Sequence, residues 1–109
     1  PDTVSIRVLN GSGRAGLARL VQRYLLGQGG ATVFVAPFAP ADADRDDYVE
    51  TVIVSHVSGE AAAAAVAGPL GLGDGSIVWE LVSGAPADVT IYLGRDVADR
   101  RDTLIPFED

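Results

Sequence analysis

VSIRVLNGSGRAG, residues Val4 to Gly16, decides how the rest of the chain is read. Val4, Ile6 and Val8 alternate with Ser5 and Arg7, the period of a strand covered on one face. The strand, Val4 to Leu9, runs into an Asn-Gly-Ser-Gly bend, and the bend opens a helix over about Gly13 to Leu26. Leu17, Leu20, Val21, Tyr24 and Leu25 fall at helical spacing, with Arg14, Arg19, Gln22 and Arg23 on the wet side. Gly27, Gly29 and Gly30 then end the helix.

The spacing Gly11-Ser12-Gly13-Arg14-Ala15-Gly16 matches G-x-G-x-x-G, but the surrounding sequence argues against a dinucleotide site. That fold needs an acid at the end of the next strand to hold a ribose, and a second mononucleotide-binding half. Here the next strand, Ala31 to Ala36, ends at Pro37 with no carboxylate, and the chain is too short for a second half. A phosphate loop fails too, because no Gly-Lys-Ser/Thr follows and lysine is absent. No cofactor is therefore expected. Two readings of the bend stay open. In one, the amides of Gly11 to Arg14 at a helix N-terminus receive an anion or carbonyl oxygen, helped by Arg14. In the other, the glycines permit the turn, Ser12 caps the helix and Asn10 ties down the loop.

Beyond the bend, Pro37 to Tyr48 is a long, acidic, exposed connection. Asp42, Asp44 and Asp46 alternate as in a calcium loop, yet the sixth position holds Asp47 rather than glycine and the twelfth Ile53 rather than glutamate. No metal is expected. Glu50 to Ser55 is a third strand. A second helix, Gly59 to about Ala67, is mostly alanine, with Ser58 and Glu60 as its N-terminal signals and Gly68-Pro69 as its stop. Ile77 to Val82 is a fourth strand with Ile77, Trp79 and Leu81 on one face. Val89 to Leu93 is a fifth, with Val89, Ile91 and Leu93 inward and Thr90 and Tyr92 outward. The residues from Arg95 onward are charged and expected to be peripheral.

The order β-α-β-β-α-β-β predicts an α+β fold, a two-layer sandwich of a mixed sheet with two helices on one face. The crossovers are expected to be right-handed. The other sheet face is left open to water or a partner, and if the first and fifth strands are neighbours, Arg7 and Tyr92 share it. The 109 residues suffice for one domain, with a core over about 3–97 and a tail over 98–109.

Composition removes whole classes of function. Cysteine is absent, which excludes disulfides, thiol nucleophiles and thiolate metal sites. A net charge of −7, with all basic residues arginine, opposes nucleic acid and anionic membrane surfaces. No apolar run is long enough to span a bilayer. His56, the single histidine, lies near Ser55 and Ser58 but in nothing like a nucleophile elbow. Trp79 fits the core better than a sugar platform, although both readings suit an aromatic on a strand.

VSIRVLNGSGRAGLARLVQRYLLGQGGATV at the start, ETVIVSHVSGEAAAAAVAGPLG in the middle and ADVTIYLGRD at the end resemble the LytR C-terminal domain, the accessory module of LytR–CpsA–Psr proteins. The resemblance covers about residues 3 to 97. It implies a cell-envelope setting in Gram-positive bacteria, and the Ala-, Gly-, Val-, Asp- and Arg-rich composition suggests an actinobacterium. It also implies an extracytoplasmic, non-catalytic domain anchored by a membrane segment outside this stretch. Its partners would be wall glycan, peptidoglycan or another envelope protein. No catalytic residue carries over. Asn10, Gly11, Ser12, Gly13 and Gly16 carry over as the signature only. The candidate ligand-binding residues are Asn10, Gly11, Ser12, Gly13, Arg14 and Trp79.

Overall fold

A computed structural model describes residues 2–27, 32–57, 61–85 and 87–100. Asp2–Asn10 form β1, which is longer than its alternating stretch because neighbours pair along its whole length. Helix α1, Leu17–Leu26, leads to β2, Thr32–Val35. A two-residue strand, β3, Ala41–Asp42, lies inside the acidic connection. Then come β4, Val52–Ser55, helix α2, Ala61–Leu70, and β5, Ile77–Trp79. The described chain closes with β6, Val89–Leu93, and α3, Arg95–Asp99.

The sheet order is β2-β1-β6-β4-β5, with β3 also on β1, beyond the end of β2. β1 is parallel to β2, β3 and β6, β4 is antiparallel to β6, and β5 is parallel to β4. The chain thus leaves β1 for one edge through α1 and leaves β4 for the other edge through α2. Two crossovers of the same hand, launched from oppositely directed strands toward opposite edges, place their helices on one face. Both helices share one core with the sheet, so the two crossovers have the same hand. Val4, Ile6, Val8, Ile53, Val89, Ile91 and Leu93 supply the sheet side of that core, and Leu17, Val21, Leu25, Val66 and Leu70 the helix side. Burying each such side chain contributes about 1.5–3 kcal/mol. The result is the two-layer α+β sandwich.

Several boundaries move, each for a physical reason. Gly13 and Gly16 have φ of 80° and 82°, a left-handed backbone that a helix cannot contain, so α1 starts at Leu17 and not near Gly13. Ser12 therefore does not cap it. The alanine helix runs through Gly68-Pro69 and stops at Gly71 (φ 68°). There the Leu72 amide donates to the Ala67 carbonyl at 2.9 Å and the Gly71 amide to the Gly68 carbonyl at 3.0 Å, a Schellman closure. Ser58, Gly59 and Glu60 at its start, Gly29 to Ala31, and the tail beyond Arg100 lie outside the described residues.

Two expectations about packing are corrected. Trp79 is not a core residue: it sits on the edge strand β5 at 47% exposure, with one flank uncovered. Leu81, expected to share a strand face with Ile77 and Trp79, lies beyond the end of β5 and is 62% exposed. The stretch from Arg95 is not wholly peripheral, because α3 buries Val97 and Ala98 in the main core. Val97→Ala is expected to destabilise the domain by about 2 kcal/mol, which denaturant titration would measure. A peripheral tail would give almost no change.

Candidate functional site

At the C-terminal end of β1 the Asn-Gly-Ser-Gly corner is closed by its own side chains. The buried Asn10 carboxamide oxygen accepts from the Ser12 amide at 3.1 Å and from its hydroxyl at 2.7 Å. The Asn10 carboxamide nitrogen donates to the Arg14 carbonyl at 2.6 Å, and the Arg14 amide donates to Ser12 Oγ at 3.1 Å. The Gly11 amide donates to the Leu93 carbonyl at 2.9 Å. Three of the amides proposed to meet an anion are thus already occupied. Arg14 is engaged as well, donating from its guanidinium to the Ala98 carbonyl at 2.9 Å and so fastening α3 to the corner.

The glycines explain themselves by proximity. A Cβ on Gly11 would overlap the Tyr48 ring and come within 2.9 Å of the Leu93 carbonyl oxygen. On Gly13 it would meet the Asp46 carbonyl oxygen at 3.0 Å. The acidic connection therefore folds back over the corner, held by the Tyr48 amide donating to the Gly11 carbonyl and the Ala43 amide to the Asn10 carbonyl, each at 2.9 Å. Trp79 does not join this group. Its register partner Ser55 also pairs with Val89 at the start of β6, so it lies at the far end and far edge of the sheet.

What the topology assembles instead is on the helix-free face. β1 and β6 are neighbours, with Arg7 opposite Thr90 and Leu9 opposite Tyr92. Tyr48 arrives from the connection, its ring centroid 5.9 Å from that of Tyr92 and tilted by 44°. Its hydroxyl donates to Asp44 Oδ1 at 2.9 Å, which holds this phenol above its usual pKa. Arg45 lies over the Tyr48 ring at 4.7 Å and pairs with Asp47 at 2.8 Å. Arg7 lies over Phe38 at 5.2 Å. Tyr48 escaped the sequence reading, and Asp44 entered it only as part of a rejected calcium loop, because nothing in the connection marks which residues return to the sheet. The one available signal is a lone tyrosine ending an acidic run.

His56 sits at the other end of this face with both ring nitrogens engaged, Nδ1 3.1 Å from the Glu80 carbonyl oxygen and Nε2 2.9 Å from Thr90 Oγ1. The carbonyl can only accept, so Nδ1 carries the proton in the neutral ring and Thr90 donates to Nε2. Such a ring ties β4 to β6 and to the stretch after β5. Among the described residues no group of acids and histidine is placed to hold a metal ion, and no helix is long and apolar enough to cross a membrane.

A family model described as the LytR cell envelope-related transcriptional attenuator, LytR_C, matches residues 3–96, from β1 into α3. No curated protein and no solved structure is matched.

Proposed function

Because the chain belongs to the LytR_C family, a cell-envelope-related accessory module, we propose that it binds wall glycan or peptidoglycan outside the membrane and makes no chemical change to it. In that role it assists a LytR–CpsA–Psr glycopolymer ligase. The observation that supports this reading best is the helix-free sheet face, on which two tyrosines and an arginine converge while the glycine corner is consumed by its own hydrogen bonds. Aromatic rings with polar tips suit sugar, whose rings carry apolar C–H faces and polar rims. The net charge of −7 disfavours phosphate-rich wall polymers, so the glycan backbone is the better match.

Sedimentation with purified sacculi tests this. The domain is expected to pellet with them and to stay bound at high salt. If it stays in the supernatant, the glycan reading fails.

A second reading, docking to another envelope protein or a second copy, has its own observation. Val78, Trp79, Leu81 and Val82 are all exposed on or just after the edge strand β5. An uncovered apolar edge is a template for strand addition. Trp79→Glu would then abolish a concentration-dependent dimer in sedimentation velocity while leaving sacculus binding intact.

A further inference from the structure

We propose that the depression between Arg7, Asp44, Tyr48 and Tyr92 on the helix-free face is the seat of an uncharged oligosaccharide segment. This deepens the reading above and rests on it. The depression has a volume of about 490 Å³, with Leu9 and Tyr92 from the sheet and Ala41 and Ala43 from the connection completing its walls. That volume suits a short run of sugar units rather than a single small ion.

Its chemistry is mixed in a way that selects the ligand. Among the described residues the Arg7 guanidinium makes no hydrogen bond, and its stacking over Phe38 holds its donors in place. Asp44 gives one carboxylate oxygen to the Tyr48 hydroxyl and keeps the other as an acceptor. The two tilted rings form an angled apolar wall with hydroxyls at its rim. A ligand that uses all of this carries donors and acceptors side by side and has weakly apolar faces, which describes a carbohydrate.

Charge excludes the alternatives. An anionic polymer meets Asp44 together with Asp42, both of which line the depression. A cationic ligand meets Arg7 and must displace Arg45 from the Tyr48 ring. A flat base finds no slot, because the rings stand at 44° rather than parallel.

The test is amide NMR of the labelled domain titrated with fully N-acetylated chitotetraose, with poly(glycerol phosphate) as the anionic probe. Saturable shifts centred on Arg7, Tyr48 and Tyr92 are expected with the sugar and none with the polyphosphate. Arg7→Gln and Tyr92→Leu should each weaken sugar binding about tenfold, the loss of one good polar or stacking contact. Arg7 is half-buried and its guanidinium makes no hydrogen bond among the described residues, so Arg7→Gln is expected to keep the fold and its result stands even if Tyr92→Leu is unstable. Shifts centred elsewhere, no shifts, or tighter binding of the anionic polymer would overturn the assignment. Sacculus sedimentation read in parallel separates the two levels. Retention without these shifts overturns the seat alone, whereas loss of both removes the glycan reading with it.

Discussion

Gly94→Ala lowers the stability of the domain by roughly 2–4 kcal/mol, with a fall in Tm on the order of 10 °C. Gly94 is buried and joins β6 to α3 with an extended backbone (φ −109°), so no left-handed strain is involved. The cost is purely one of space. A Cβ there would lie 2.5 Å from the Glu50 carbonyl carbon, 2.7 Å from its oxygen and 2.8 Å from the Thr51 nitrogen. All three are backbone atoms, and the strands around them are fixed. The Gly94 amide donates to Thr51 Oγ1 at 2.9 Å, and the Arg95 amide to the Tyr48 carbonyl at 2.9 Å. Asp96 Oδ1 accepts from the Thr51 amide and hydroxyl at 3.0 and 2.7 Å. Moving one atom away from the new methyl breaks another of these bonds. Urea denaturation of the purified variant measures the loss, and a change under 1 kcal/mol would show that the junction yields.

Asn10→Ala is expected to cost about 2–3 kcal/mol, because it leaves the buried Ser12 amide without an acceptor and takes from the Arg14 carbonyl one of its two donors, leaving it only the Leu17 amide. Asn10→Asp should not rescue it. The carboxylate would still accept from Ser12, but its second oxygen would face the Arg14 carbonyl with no proton between them. Ser12→Ala is milder, since Asn10 still receives the Ser12 amide. Were the corner chiefly a ligand site, Asn10→Ala would keep its denaturation midpoint and lose binding. The expected result is the reverse: a lowered midpoint, with chitotetraose binding retained by the folded fraction.

The strongly periodic elements were the legible ones. β6 spans the residues that its alternation marks, and the apolar set of α1 faces the core save for Leu20 and Tyr24 at its margin. Alternation on β1 and β6 also foretold Arg7 and Tyr92 on the helix-free face once those strands proved to be neighbours, though the connection lays Phe38 and Tyr48 against them. Three things were hidden, each because a non-local partner decides it. Two left-handed glycines, Gly13 beneath the connection and Gly16 just before the helix, determine the start of α1. The burial of α3 rests on distant partners, with Val97 and Ala98 in the core, Asp96 bonded to Thr51, and Arg14 reaching a carbonyl 84 residues away. The exposure of Trp79 follows from β5 being an edge strand, and periodicity does not distinguish an edge strand from a central one. The site suffered most, since Asp44 and Tyr48 lie in a stretch with no repeat to read.

β1 and β6, neighbours within the sheet, are the first and last of its described strands. Ser5 and Asp88, which clasp each other beside them, are 83 positions apart. Synthesis is vectorial, so β1 waits for β6 until every strand and helix between them has been made. Until then the β2-β1 half and the β4-β5 half of the sheet have no strand to bridge them. Assembly is therefore late and all at once, at the slow end for a protein of this size. A sequence arranged this way remains threadable for as long as its last strand is withheld.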